Sequence, residues 1–130
     1  MSVSLLVITH NQLGQELIDT AASILDKQLP EVNFISISAN LKPDDLGHYA
    51  DQVKNMINQL DIEKGVLILT DICGATPYNL AKYFASDKNI KIVSGISLPM
   101  LLRVLNFPNQ SLQALSLTAI KGACKGAIQD

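Results

Sequence analysis

Gly65-Val-Leu-Ile-Leu-Thr-Asp71 is a short, continuous apolar run and the clearest strand in the sequence. The loop Cys73-Gly-Ala-Thr-Pro77 follows it almost at once. Proline suits the first position of a helix, and threonine is a favoured cap. We therefore expect a helix that begins at Pro77 with Thr76 as its cap, so that strand passes directly into helix.

The same alternation of strand and helix continues on both sides of this stretch. Further strands are predicted at residues 4–9, 33–38 and 89–94, and further helices at residues 13–25, 43–60, 98–105 and 111–127. The second helix is expected to bury one stripe, formed by Leu46, Ala50, Val53, Ile57 and Leu60. Short connections between strands and helices imply a parallel sheet. We predict an α/β fold in one domain, residues 1–130: an open, doubly wound, mainly parallel sheet of strand order 2-1-3-4 with helices on both faces.

Composition and charge exclude several classes of protein. The chain has 130 residues, 48% of them hydrophobic and 17% charged, with a net charge of −2; mean hydropathy is +0.23. Such a chain can fill a core, yet its apolar runs are far shorter than the roughly 18 residues of a membrane span. One arginine, Arg103, and nine scattered lysines do not form the basic surface that nucleic acid requires.

The position of the first basic residue and the spacing of the cysteines indicate the cellular compartment. The first basic residue is Lys27, which argues against a secretory signal. Cys73 and Cys124 have no paired spacing and no neighbouring histidines, and we expect Cys124 to pack in the last helix. A disulfide framework or a structural zinc site is therefore not expected, and we predict a cytoplasmic protein without a metal or a cofactor.

A candidate site follows from the predicted sheet. Ligands of open α/β sheets bind beyond the carboxyl ends of the strands, where the strand order reverses. With the order 2-1-3-4, this point lies between the first and third strands. His10 stands at the end of the first strand and Asp71 at the end of the third. We expect an imidazole and a carboxylate on the two lips of one crevice.

This pair suits a histidine nucleophile that accepts a phosphoryl group. A carboxylate that accepts one ring N–H fixes the tautomer, and the other nitrogen keeps its lone pair. If Asp71 binds Nδ1–H, the phosphate belongs on Nε2 of His10. Gly74 permits close approach of the main chain, and the next helix offers free amides. Thr9 and Thr76 are candidate hydroxyl ligands of the phosphate.

Plainer interpretations stand beside this one. His10 can be an ordinary loop residue, and Asp71 can cap a turn. His48 lies on a predicted helix without an acidic partner at ligand spacing, and we expect it at the surface. Cys73, before a helix, can be an acidified thiolate as in small cysteine phosphatases. Their Cys-x5-Arg loop is incomplete here, because Asn79 stands where the arginine belongs.

Four segments together resemble one family: Thr9-His10, Lys64–Asp71, Gly74–Asn79 and Gly95–Leu101. The sequence resembles the mannose-type enzyme IIA domain of the bacterial phosphoenolpyruvate-dependent sugar phosphotransferase system. The resemblance implies that His10 accepts a phosphoryl group from HPr and passes it to an enzyme IIB, with Asp71 as its orienting carboxylate. It also implies a homodimer and contact with the membrane only through the transporter complex.

The sequence departs from the mannose transporter pattern at several positions. Ile72 and Cys73 stand where threonine and tryptophan are typical, which alters the rim where partners dock; we place Pro99 on the same rim. Asn11 follows His10 where the family usually has a glycine-led turn. These departures bear on the sugar and the partner. The alternatives to a transport phosphocarrier are a stand-alone regulatory phosphoprotein, the phosphocarrier of a dihydroxyacetone kinase and a phosphatase that depends on Cys73.

Overall fold

Strands and helices alternate along the chain in a computed structural model that describes residues 2–86 and 89–130. In chain order the elements are β1 (Ser4–His10), α1 (Leu13–Leu25), β2 (Val32–Ile37), α2 (Leu46–Gln59), β3 (Val66–Thr70), α3 (Thr76–Phe84), β4 (Ile90–Ser94), α4 (Leu98–Leu105) and α5 (Leu112–Gly126). A short 3₁₀ turn, Pro43–Asp45, leads into α2. The predicted elements are all present; the bounds of α1 and α4 are those predicted, and the others differ by at most three residues.

The sheet has the order β2-β1-β3-β4, and every strand pair in it is parallel. This confirms the predicted fold class and strand order. The register pairs Ile8 of β1 with Thr70 of β3, and Thr70 with Ser94 of β4. All strands therefore end at one side of the sheet, which we call the carboxyl edge. The chain order reverses there between β1 and β3.

Helices cover both faces of the sheet, because successive side chains of a buried strand point to opposite faces. Leu5 and Val7 belong to a core under α1, α4 and α5, whereas Leu6 and Ile8 belong to a second core under α2 and α3. All five residues of β3 are buried. Each fully buried Leu, Ile or Val contributes roughly 1.5–3 kcal/mol, so the two central strands form a rigid base for the residues at their ends.

Three local predictions were wrong. Helix α3 begins at Thr76, and its cap is Ala75, without a side-chain hydrogen bond. Leu46 is 44% exposed, because α2 begins only there, after the 3₁₀ turn, and this first residue does not reach the core. Cys124 is exposed on α5. No helix in the described part of the chain has the length and apolar character needed to cross a membrane.

Candidate functional site

The candidate site lies at the carboxyl edge, where the chain order reverses. His10 is the last residue of β1, and Asp71 directly follows β3. The pairing of Ile8 with Thr70 makes these two strands end almost level. The sheet therefore brings together the two residues that the sequence predicted as partners.

His10 and Asp71 are joined by two hydrogen bonds. The ring Nδ1 of His10 lies 2.8 Å from Oδ2 of Asp71, and the main-chain N–H of His10 donates to the same oxygen at 2.9 Å. The other oxygen, Oδ1, accepts from the amide of Ile72 at 3.0 Å. The Asp71 side chain is 8% exposed and that of His10 is 29% exposed. The carboxylate is thus enclosed, while the ring keeps access to solvent.

The charge state of Asp71 follows from these contacts. Burial by itself raises the pKa of the Asp71 carboxyl, but the His10 main-chain and ring hydrogen bonds, the charge of the His10 ring and the Ile72 amide together outweigh it. The net pKa lies below the ordinary value of an aspartate. Asp71 is therefore an anion at neutral pH, and Nδ1 of His10 must be the donor, because an ionised carboxylate only accepts.

The main chain of Asp71 is fixed as well. Its carbonyl accepts a hydrogen bond from the amide of Gly95 at 3.1 Å, and the Thr70 carbonyl accepts from Ile96 at 3.0 Å. These bonds continue the pairing of β3 with β4 beyond the last strand residues. Gly95 has φ +85°, a conformation that glycine adopts without strain. The segment after β4 therefore holds Asp71 from the side opposite β1.

The loop between β3 and α3 is held by the helix that it leads into. The side-chain amide of Asn79 donates to the carbonyl of Gly74 at 2.9 Å, and the Asn79 main-chain amide donates to Ala75 at 2.9 Å. Gly74 has φ +87°. Asn79, which stands at the arginine position of a phosphatase loop, thus acts as a loop brace. The start of α3 adds the positive end of a helix near this edge.

The predicted hydroxyl ligands differ in their surroundings. Thr9 is fully buried, and its Oγ1 accepts the amide of Gly14 at 2.8 Å. Its neighbour His10 lies on the opposite face of β1, so the prediction that Thr9 binds phosphate is wrong. Thr76 is half-buried at the start of α3. Within residues 2–86 and 89–130 its hydroxyl has no hydrogen-bond partner, so it keeps a donor for a ligand.

The residues predicted for the docking rim are all exposed. Ile72 is 60% exposed, and Cys73 is an exposed free thiol in the same loop. Pro99 is exposed at the start of α4 and packs against α5, where an added Cβ on Gly126 would lie 2.5 Å from the proline Cβ. His48 is exposed on α2, as predicted. Among the described residues, no group of three or more His, Cys, Asp or Glu side chains lies close enough to hold a metal ion.

One site residue was not predicted. Asn11 has φ +51°, and its side-chain oxygen accepts the amide of Ala39 at 2.9 Å. It directly follows His10 and links β1 to the segment after β2. The signal was the residue type itself, because asparagine tolerates the left-handed conformation far better than most residues do.

The arrangement gives the imidazole a defined chemical role. With Nδ1–H held by an anionic carboxylate, Nε2 carries the lone pair and is the ring nitrogen of His10 that can act as a nucleophile. The anion also stabilises positive charge that develops on the ring when Nε2 forms a bond. The site can therefore accept an electrophilic group on Nε2 of His10.

A known family matches almost the whole of this chain. The family described as "PTS system fructose IIA component" (EIIA-man) matches residues 4–119. The chain belongs to this family. The matched residues include both His10 and Asp71, and the membership confirms the resemblance that the sequence predicted.

Curated relatives are 28–29% identical to this chain over the aligned residues. The mannose-specific EIIAB component of Escherichia coli K12 is 28% identical over 106 residues, which cover 81% of this chain and 32% of that protein. The fructose-specific EIIA component of Bacillus subtilis is 29% identical over 105 residues, covering 80% and 69%. The match thus spans about a third of the EIIAB protein and about two thirds of the Bacillus one.

Solved structures of IIA components have the same fold. The mannose/sorbose-specific IIA subunit from Enterococcus faecalis superposes with a TM-score of 0.87 at 18% identity, covering 100% of this chain and 96% of that one. The EIIA component from Streptococcus agalactiae gives a TM-score of 0.77 at 22% identity, covering 98% and 96%. At these identities the likeness shows the fold.

Proposed function

We propose that this IIA-family protein is a histidine phosphocarrier of a sugar phosphotransferase system. His10 takes a phosphoryl group from the phosphohistidine of HPr and passes it to an enzyme IIB. The observation that carries the proposal is the 2.8 Å contact between Nδ1 of His10 and Oδ2 of Asp71, which leaves Nε2 as the nucleophile. Membership of the PTS IIA family supports the same role.

The transfer needs no change in the number of protons at the site. Nε2 of His10 attacks phosphorus in line, the bond from phosphorus to the donor nitrogen breaks, and the donor imidazole recovers its electron pair. Nδ1 of His10 keeps its proton, held by Asp71, so the phosphorylated ring faces a negative charge that stabilises it. Discharge to the acceptor reverses these changes.

Groups around the ring support binding of the phosphoryl oxygens. The Thr76 hydroxyl has a free donor in the described structure, and the space at Gly74 is open, since an added Cβ there would meet nothing within 4 Å. The start of α3 contributes the positive end of its dipole. We assign Thr76, Gly74 and the first amides of α3 to the phosphate, with Thr9 excluded by its burial.

Exposed apolar side chains near the site support docking of protein partners. Ile72 is 60% exposed, and Leu46 and Tyr83, at 44% and 79%, line a groove with Thr76. Apolar anchors of this kind dominate the energy of small interfaces. We assign this surface to HPr and IIB, which must bring their phosphorylated or acceptor group to the same ring.

The assembly and compartment belong to the same proposal. We infer that residues 1–130 act as one IIA unit in the cytoplasm and form a homodimer. Leu117 and Ile120, one turn apart on α5 and about half exposed, are apolar surface available for a second copy. Sedimentation at several concentrations tests the dimer: a single species at the mass of one chain at every concentration would contradict it.

The decisive experiment is intact mass after incubation with phosphoenolpyruvate, enzyme I and HPr. Wild type should gain one acid-labile phosphoryl group, and His10→Gln should gain none. His48→Gln is the matched control, because His48 is exposed on α2, and it should gain the group as wild type does. An unmodified wild type, with enzyme I and HPr shown to be active, would overturn the proposal.

The same preparation tests the nitrogen and the acceptor. Phosphorus–nitrogen coupling in an isotope-labelled sample should place the phosphate on Nε2; coupling to Nδ1 would contradict the assigned role of Asp71. Addition of an enzyme IIB should discharge the phosphoprotein. A phosphoprotein that discharges to no IIB would instead indicate a regulatory phosphoprotein.

A further inference from the structure

Asn11 directly follows His10 and holds an uncommon main-chain conformation. Its φ of +51° lies in the left-handed region, which glycine and asparagine adopt at low cost. The side chain is exposed, so burial in a core does not explain it. The turn places the main-chain N–H and the side-chain oxygen of Asn11 toward the neighbouring strand β2.

Asn11 makes two hydrogen bonds to this neighbour. Its main-chain N–H donates to the Ile37 carbonyl at 2.7 Å, and its Oδ1 accepts from the Ala39 amide at 2.9 Å. The first bond extends the pairing of β1 with β2 by one residue beyond His10. The second bond joins the turn after His10 to the loop that follows β2. Asn11 therefore spans the two loops on this side of the site.

In the loop after β2, the main-chain amides donate their hydrogen bonds to side-chain oxygens. The Ser38 amide donates to the Tyr49 hydroxyl at 3.3 Å, and the Asn40 amide donates to the Ser38 hydroxyl at 3.2 Å. The Ala39 amide, between them, donates to Asn11. Three successive amides are thus bound by three side chains, and the middle bond is the one that reaches the turn of His10.

The His10 main chain is consequently held from two sides. Its own N–H is bound to Asp71 in β3's direction, and the next peptide N–H is bound to Ile37 in β2's direction. A rotation of the peptide between residues 10 and 11 would break the bond from the Asn11 N–H to Ile37, whereas the His10 N–H belongs to the preceding peptide. A shift of the His10 main chain as a whole would move its N–H and its ring together relative to Oδ2 of Asp71, since both bind that oxygen.

We propose that Asn11 is a positioning residue for the phosphorylation of His10. Its side-chain oxygen holds residues 38–40 against the turn and keeps the imidazole aligned on Asp71. Asn11 contributes two features to this role, the left-handed main-chain conformation and the hydrogen-bond acceptor of its side chain, and substitutions can separate them. The expected effect on the rate of phosphorylation rests on the proposed function. The alignment of the His10 ring on Asp71 can be measured in the free protein.

Three substitutions separate the two parts. Asn11→Gly keeps the left-handed turn and removes the acceptor, Asn11→Ala removes the acceptor and strains the turn, and Asn11→Asp keeps both. Asn40→Ala is the control, because it removes an exposed asparagine side chain of the same loop that makes no hydrogen bond within the described residues. The readouts are exchange of the Ala39 amide, ring nitrogen shifts of His10 and the initial rate of phosphorylation.

We expect Asn11→Gly to expose the Ala39 amide to exchange and to lower the fraction of ring carrying its proton on Nδ1. It should slow phosphorylation roughly three- to tenfold, the effect of one hydrogen bond. Asn11→Ala should do the same and also lower the melting temperature. Asn11→Asp should keep the Ala39 protection and the ring signals of wild type. Asn40→Ala should match wild type in all three readouts.

The proposal is overturned if Asn11→Gly keeps the wild-type ring signals and rate, whether or not the Ala39 amide is exposed. It is also overturned if Asn11→Asp keeps Ala39 protected but loses the ring signals. If wild type accepts no phosphoryl group, the proposed function fails. The ring signals of Asn11→Gly then still decide whether Asn11 aligns His10 on Asp71.

Discussion

One carboxylate oxygen of Asp71, Oδ2, receives both the main-chain N–H and the ring Nδ1 of His10, at 2.9 and 2.8 Å. The two donors belong to the same residue and are separated by its side-chain torsions. Binding both of them to one point fixes the rotamer of the ring as well as its tautomer. Asp71 is itself held in place, because its Oδ1 accepts the amide of Ile72. Its Oδ2 therefore has a fixed position, and the His10 ring is fixed relative to it.

Asp71→Asn should slow phosphorylation of His10 by at least about tenfold. An amide has nearly the same shape, but its NH₂ group can donate to Nδ1 and stabilise the tautomer in which Nε2 is protonated and no longer nucleophilic. The measurement is the initial rate of phosphoryl transfer from HPr. Asp51→Asn, at an exposed carboxylate on α2, is the control and should keep the wild-type rate. Equal rates for both variants would contradict the role of Asp71.

The stability of the protein should depend on Asp71 in acid. Its pKa is lowered on folding, so the folded state binds fewer protons than the unfolded state below about pH 4, the ordinary value for aspartate. The stabilisation is complete above that pH and is lost as the pH falls through the lowered pKa. Asp71→Asn should therefore flatten the decline in unfolding free energy as the pH falls below about pH 4. Denaturant titrations at several pH values test this, and parallel curves for the two proteins would disprove it.

Two glycines should respond to alanine in opposite directions. A Cβ on Gly14 would lie 2.7 Å from Cγ1 of Val7 and 3.1 Å from the Thr9 hydroxyl, in the close contact between α1 and β1. Gly14→Ala should destabilise the protein by about 1–3 kcal/mol. Gly47, near the start of α2, has open space around it, so Gly47→Ala should stabilise by up to about 1 kcal/mol. Thermal unfolding measures both, and the same sign for the two variants would refute the packing argument.

Docking should depend on the side chain of Ile72. Ile72→Ser removes an apolar surface that is 60% exposed, while the main-chain bond from this residue to Asp71 remains. We expect the KM for phosphorylated HPr to rise several-fold, by roughly 1 kcal/mol of lost contact, with little change in kcat. Ile24→Ser is the control, since Ile24 is 55% exposed at the far end of α1. An unchanged KM for Ile72→Ser would place the docking surface elsewhere.

The central relationship of the site was predictable because it depends on topology. Strong apolar runs identified β1 and β3, and the order 2-1-3-4 placed their ends side by side. His10 and Asp71 then had to meet at the carboxyl edge, whatever the details of the loops. Because the two strands are parallel, their ends could also be expected to lie at nearly the same level of the sheet.

The details that were missed depend on single residues and on packing. Thr9 could have been excluded from sequence, because neighbours in a strand face opposite sides and His10 is its neighbour. The exposure of Leu46 could not, since helical spacing does not reveal that a 3₁₀ turn delays the start of α2. The role of Asn11 needed the position of Ala39, which lies 28 residues further along the chain.

The parallel sheet also places the reactive residues at one end of the molecule and the connections that follow the helices at the other end. Each helix carries the chain back to the edge where strands begin, so the connection at residues 26–31, between α1 and β2, lies at the end of the molecule opposite His10. Loops of this kind accept added sequence readily. A fluorescent or affinity label inserted there would report partner binding at the carboxyl edge while leaving the distance between Nδ1 and Oδ2 unchanged.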